Sequence, residues 1–284
     1  MNEPCCLVLR LAGPMQSWGS HSQFNRRETD DQPTKSGIIG LLAAALGRRR
    51  ADPIEDLLDL RLGVRTDQPG SLLRDYHTVS DYRGVPLPSA AVNARGIQKP
   101  TAPAKYTHVT QRYYLQDAVF VAAVCGPHDL LTALAAAVRS PAFPLALGRR
   151  SCVPTQPLIV PQEGDGAEAG HADLWPGDPR TVLDRVPWQA SPAHANQVQA
   201  ATVDLPATVD NHDGNPHGAD VRVDLPRSFD PLRRGFTARA VQHLWVSPPT
   251  TAGGTTAGDA TDAPASAVGT ATSRGHDPFA LLGW

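Results

Sequence analysis

The sequence is short of lysine, of CxxC cysteine pairs and of long apolar runs. Lysine occurs only at Lys35, Lys99 and Lys105. No apolar stretch approaches the roughly 20 residues that cross a bilayer, so nothing reads as a membrane span. The opening "MNEPCCLVLRLAGPMQ" has no basic leader and reads as a first strand, not a signal peptide. The four cysteines, Cys5, Cys6, Cys125 and Cys152, form no CxxC pair. Adjacent Cys5 and Cys6 point to opposite faces of a strand, a poor geometry for zinc or a mutual disulfide. Reduced, buried thiols in a cytoplasmic protein are the expectation. The formal net charge of -2 excludes a uniformly basic nucleic-acid coat, so any polyanion site has to be local.

What is present is arginine in clusters: Arg26-Arg27, Arg48-Arg49-Arg50, Arg149-Arg150 and Arg233-Arg234. Arginine offers a planar fork suited to phosphates and base edges. An isolated pair such as that in "LALGRRSCVP" is commonly a solvated surface feature, so the rest of the chain has to decide.

"CCLVLRLAG" reads as a buried strand and "GPMQSWGSHSQF" as a loop. "PTKSGIIGLLAAALG" is a helix capped by Thr34 or Ser36 and ended by Gly47. "DPIEDLLDL" is a short helix with Asp52 at its N-cap, and "RLGVRT" a strand. "LLRDYHTVSDYRG" and "KYTHVTQRYYLQD" are polar, β-prone arms of a long hairpin spanning about 71–117. "AVFVAAVCG" is an apolar strand and "PHDLLTALAAAVRS" a helix. This order suits an α+β, ferredoxin-like (RRM-like) domain over 1–160 with the hairpin inserted. "QPLIV", "VQAATVDL", "ADVRVDL" and "ARAVQHLWV" are strands, the last three in a smaller β-rich part over 161–246. The Thr/Ala/Gly/Ser/Pro-rich 247–284 cannot bury enough surface to fold and reads as a disordered tail.

Catalytic signatures are missing: there is no GxSxG, and the histidines are scattered. "HDGNPHGAD" brings His212, Asp213, His217 and Asp220 close in sequence, but the spacing fits no ligand pattern and a loop is the reading. No metal or cofactor is expected. Lys35 and Ser36 open a helix, where free N–H groups and the dipole favour an anion. Arg74, Tyr76, His77, Tyr82 and Arg83 mix cations with rings, a combination that stacks on unpaired bases and clasps phosphates; ordinary cross-strand pairing is the alternative.

Taken together, "LVLRLAGPMQSWG", "PTKSGIIGLLAAALG", "LRDYHTVSDYRG", "TQRYYLQDAVFVAAV" and "LGRRSCVPTQPL" resemble, in order and spacing, the CasD family of type I-E CRISPR surveillance complexes (Cascade), within the RAMP superfamily. The resemblance implies an RRM-like domain with a protruding thumb hairpin. It implies a non-catalytic subunit that holds the 5′ handle of the crRNA and caps the backbone filament for antiviral DNA targeting. The neighbours would be the Cascade backbone subunit and the large PAM-reading subunit, with target DNA nearby. The RNA-binding positions it implies are Met15, Gln16 and Trp18 of the first loop, Lys35 and Ser36, Arg74, His77, Tyr82 and Arg83 of the hairpin, and Gly148, Arg149, Arg150 and Ser151. Gly148 would allow close backbone approach, and the arginines would grip phosphates or base edges. The alternative is a metal-independent endoribonuclease that processes repeat RNA, for which Tyr76, His77 and Lys35 supply the chemical types.

Overall fold

The computed structural model describes residues 4–19, 25–81, 94, 106–162, 173–212, 214 and 217–250. All lie in one compact unit, Met1–Gly254.

Strand β1 (Cys5–Ala12) is apolar almost throughout because both of its faces are covered. Leu7, Leu9 and Leu11 enter one core, and Cys6 and Val8 enter a second. Strand β7 (Val119–Gly126) repeats the pattern, with Phe120, Ala122 and Val124 on one side and Val121, Ala123 and Cys125 on the other. Period-2 alternation in an all-apolar strand therefore feeds two cores at once.

Helix α1 (Lys35–Ala45) starts where the Thr34 hydroxyl accepts from the Gly37 amide at 3.2 Å. It stops at Gly47, whose φ of 79° is the left-handed conformation that ends helices. Helix α3 (His128–Arg139) turns Leu131, Leu134, Ala135 and Val138 onto β1, β7 and α1. Both helices contribute to the first core. Helix α4 (Pro179–Arg185) is capped by Asp178 and closes the second core with Val182 and Leu183. Two helices of one turn, α2 (Glu55–Leu58) and α5 (Pro192–Ala195), complete the helical set of the described residues.

The main sheet adds β4 (Arg61–Gln68), β8 (Leu174–Pro176), β9 (Leu205–Asp210), β10 (Ala219–Ser228) and β11 (Gly235–Val246). Its seven strands run β10-β11-β9-β4-β7-β1-β8, each pairing antiparallel. A second sheet contains β2 (Met15–Gln16), β3 (Arg26–Arg27), β5 (Ser71–Asp81) and β6 (Tyr106–Gln116). β5 and β6 pair without a shift from Ser71↔Gln116 to Asp81↔Tyr106. Residues 82–105 of the expected hairpin lie outside the described residues, except Ala94.

Several expectations change. "QPLIV" is not a strand of its own: Ile159 makes a single bridge to Leu9, and the place beside β1 goes to β8. Asp52 caps no helix; it accepts from the Arg49 amide at 2.6 Å in the turn before α2. "VQAATVDL" gives way to β9, which starts only at Leu205. The C-terminal strands continue the main sheet, because β9 pairs with β4. The tail does not begin at Ser247: the Trp188 amide donates to the Pro249 carbonyl at 2.9 Å and the Thr250 amide to Ala201 at 2.8 Å. Residues 251–284 lie outside the described residues. Cys6 and Cys125 form a disulfide, against the expectation of reduced thiols, because the β1–β7 register places them directly opposite, with Cα atoms 4.0 Å apart.

A buried charge pair was also not anticipated. Arg65 and Asp67, both 0% exposed in their side chains, form a fork on β4. The guanidinium also donates to the carbonyls of Leu183, Val186 and Pro187, so it ties β4 to the open end of α4.

Candidate nucleic-acid interface

The stretch around the arginine pair is a tight turn hung on two anchors. Leu147 and Cys152 are fully buried, and the Leu147 amide donates to the Cys152 carbonyl at 2.7 Å. Arg149, Arg150 and Ser151 are held between them at the surface. Burial pushes the Cys152 thiol up, which suits a packing role. Gly148 has φ of 89°, and a Cβ there would stand 1.8 Å from the Ser17 carbonyl oxygen. The close approach that requires glycine is thus to the chain's own first loop: the Ser17 amide donates to Leu147 at 3.1 Å.

Arg149 lies across this junction. Its Nη1 donates to the Tyr113 carbonyl at 2.9 Å, and its Nη2 to the carbonyls of Arg27 and Glu28 at 2.8 and 3.1 Å. Its guanidinium stacks over the Tyr114 ring at 4.9 Å. All three acceptors are neutral, so they fix the guanidinium in place without cancelling its charge. Arg150 is exposed, as is Ser151.

Gly148 and Arg149, but not Arg150 or Ser151, border a cleft of about 590 Å³ lined also by Ser17, Trp18, Gly19, Arg27, Thr34, Ser36, Gly37, Phe229, Arg234 and Phe236. It joins the first loop, the start of α1, the 147–152 turn and the β10–β11 connection. Arg234 stacks on Phe236 at 5.4 Å, and beside the cleft Arg26 stacks on Tyr113 at 5.3 Å. Cations in a groove with aromatic rings match what holds a single nucleic-acid strand.

The predicted residues divide. Gln16 is fully buried, and its amide donates to Leu11 and Ala118 at 2.8 and 2.7 Å while accepting from the Trp18 indole. The Trp18 indole is 1% exposed and packs on Gly37, where a Cβ would come within 2.7 Å of the ring. Met15 packs against the first core. This loop therefore shapes the cleft floor more than it presents free side chains. Arg74 and His77 leave opposite faces of β5: by the register, Arg74 shares a face with Tyr113, and His77 shares one with Tyr114. Tyr82 and Arg83 lie outside the described residues.

Lys35 departs furthest from expectation. Its Nζ bonds Asp210 at 2.9 Å with both side chains nearly buried, and its backbone amide donates to Asp224 at 2.8 Å. The anion favoured at the start of α1 is thus a carboxylate of β10. Arg239 completes the set with a two-pronged bond to Asp224, at 2.6 and 2.9 Å, and a further one to Asp210. Burial alone would raise the Asp224 carboxyl, but the hydrogen bonds and charge of Arg239 outweigh it and hold the group below the ordinary carboxylate range. Ser36 stays at the cleft, 3.2 Å from the Thr34 hydroxyl. Around "HDGNPHGAD", Asp220 pairs with His243 at 3.3 Å, and no group of His, Cys, Asp or Glu able to hold a metal occurs among the described residues.

Sequence reasoning missed Arg27, Phe229, Arg234 and Phe236 as cleft residues. The available signal was the pair Arg233-Arg234 between two phenylalanines, and Arg26-Arg27 two residues beyond the loop's Phe24.

The fold is that of CRISPR-associated, Cas5-like chains. The family model described as CRISPR-associated protein (Cas_Cas5) matches residues 6–242. A solved chain titled "CRISPR RNA-guided surveillance complex" superposes with a TM-score of 0.65 at 34% identity, covering 86% of this chain and 91% of that one. A "Crystal structure of Cas protein" gives 0.54 at 32% identity, covering 85% and 94%. "CRISPR system Cascade subunit CasD" of Escherichia coli (strain K12) is 37% identical over 172 residues, 54% of this chain and 69% of the relative. The chain belongs to the CRISPR-associated Cas_Cas5 family and is a homologue of CasD.

Proposed function

We propose that this chain is a non-catalytic subunit of a type I-E Cascade-like surveillance complex and that its cleft lodges the 5′ handle of the crRNA. The observation that carries this reading is the cleft itself, in which Arg27, Arg149 and Arg234 meet Phe229, Phe236 and the start of α1. Its arginines grip phosphates while its rings stack on unpaired bases. Sequence readout of the target then belongs to base pairing, as in other RNA-guided effectors. The strand order β4-β7-β1-β8, interleaved with α1 and α3, supports a ferredoxin-like core, and the β5–β6 ladder supports a thumb hairpin. In this reading the thumb presses on the guide strand, the backbone subunit and the large PAM-reading subunit flank the chain, target DNA lies nearby, and the complex is cytoplasmic. No helix among the described residues is long and apolar enough to cross a membrane. The three residues considered for ribonuclease chemistry do not converge: Lys35 is bonded to Asp210, and Tyr76 and His77 leave opposite faces of β5.

The test is the salt dependence of handle RNA binding to the full chain. Arg27→Ala with Arg234→Ala should flatten the slope of log K against log salt by about 1.4, since each lost single-strand phosphate contact removes about 0.7. An unchanged slope rejects the cleft as the RNA site.

A further inference from the structure

A second cavity, of about 630 Å³, shares no lining residue with the arginine cleft. Arg10 projects into it from the face of β1 that carries Cys6 and Val8, the side of the second core, to which Trp175 and Val160 also belong. Ile159, Val160, Trp175 and three prolines, Pro161, Pro187 and Pro249, give it apolar walls. Its polar groups are Arg10, Arg185, Asp184, Gln162 and Gln189.

Arg10 is an unusual residue for such a wall. Its Nη1 donates to the Gln189 amide oxygen at 3.2 Å and its Nη2 to the Pro157 carbonyl at 3.3 Å, both long and both to neutral acceptors. Its Nε is buried without a hydrogen-bond partner. Among the described residues no carboxylate lies within ion-pair distance of it, whereas Arg65, two strands away on β4, has Asp67. Burial pushes the Arg10 guanidinium below its ordinary range, the mark of a cation with too little compensation. Asp184 lines the same cavity but makes no ion pair with Arg10; its Oδ1 accepts from the Ser247 amide at 2.8 Å. Arg185 donates to the Pro176 carbonyl at 3.1 Å and adds a second positive group.

We propose that this cavity receives the carboxylate of an aspartate or glutamate carried by a protein neighbour of the chain. A carboxylate matches one edge of a guanidinium with two parallel bonds. The long bonds to Gln189 and Pro157 are weak enough to be exchanged for it. The apolar walls accept the methylene stem and the residues beside it. A nucleic-acid strand fits less well: two cations with a carboxylate between apolar walls do not track a phosphate backbone, and the one tryptophan is 6% exposed with its Nε1 bonded to Val160.

The first test uses the full chain labelled with ¹⁵N-arginine and sodium propionate as the probe. Propionate should shift the Arg10 Nε–H resonance saturably in the millimolar range, and propionamide or matched sodium chloride should not. A drift shared with chloride, or no shift, overturns the proposal. The second test compares Arg10→Met and Arg185→Gln in the particle assembled with its neighbour subunits. Each should weaken retention of one protein subunit by at least about tenfold while handle RNA stays bound. Loss of RNA with all protein subunits retained assigns the cavity to nucleic acid and overturns it. Where Arg10→Met fails to fold, Arg185→Gln, at an exposed position, still decides. RNA retention reports on the cleft and subunit retention on this cavity, so the two readings fail separately.

Discussion

At the start of α1 two groups of cations lie side by side and are used in opposite ways. Around Asp210 and Asp224, Lys35 and Arg239 meet carboxylates, and every member is nearly buried. In the neighbouring cleft, Arg149 meets carbonyls and a ring, and Arg234 meets a ring. Carboxylates cancel charge; carbonyls and ring faces orient it and leave it in place. The first group therefore joins β9–β11 to α1 and β4 and has nothing left for a ligand. The second keeps its positive charge toward a groove that an anionic strand can enter. The difference lies in the partners, since both groups are built from the same kinds of residue.

Four changes probe that contrast, in order of expected effect. Arg239→Met leaves Asp224 and Asp210 buried with one cation fewer and should cost about 3–5 kcal/mol in urea unfolding. A loss below about 1 kcal/mol would mean the network is not a structural joint. Gly148→Ala places a methyl against the Ser17 carbonyl at a left-handed position, and should destabilise by about 1–3 kcal/mol and weaken handle RNA binding together. If stability fell and RNA binding did not, the 147–152 turn would not shape the RNA site.

The third is a pH series. Because the folded Asp224 carboxyl is held below its unfolded value, its contribution is fully present above the unfolded pKa of about 3.9 and is lost as pH falls through the folded one. Stability measured by urea titration should fall below about pH 4, and Asp224→Asn should start lower and fall less steeply. An equally steep acid limb in the variant would place the lost protons elsewhere. The smallest effect belongs to Arg27→Ala with Arg234→Ala, where unfolding free energy should move by no more than about 0.5 kcal/mol per site. A larger loss would mean that these arginines hold the fold together, as Arg239 does.

How much could be read in advance varies with the range of the interaction. β1, β7, α1 and α3 were legible because alternation, helical spacing and caps are local signals. The arms of the β5–β6 ladder were legible for the same reason. β8 and α4 were not: Leu174–Pro176 is a strand only because β1 offers it an edge, and Pro179–Arg185 is too short to announce itself. The disulfide was hidden because Cys6 and Cys125 are far apart in the chain and only strand register sets them opposite. Arg149 and the first loop were named, and the 147–152 turn does meet that loop, while Arg150 is exposed and does not line the cleft. Arg27, Arg234 and the two phenylalanines were left out, because nothing in a linear sequence says that β10 and β11 fold back to α1.

The residues alone determined the types of β1, β7, α1 and α3, the arms of the β5–β6 ladder and the family. Which positive groups remain available was decided only by folding. Lys35 reads as an anion site at a helix start, yet long-range pairing delivers Asp224 and Asp210 to it. Arg149 reads as one of a solvated pair, yet three carbonyls from remote segments hold it at the cleft. A side chain's type sets the charge it brings, and the partners that the fold places around it set whether that charge is spent.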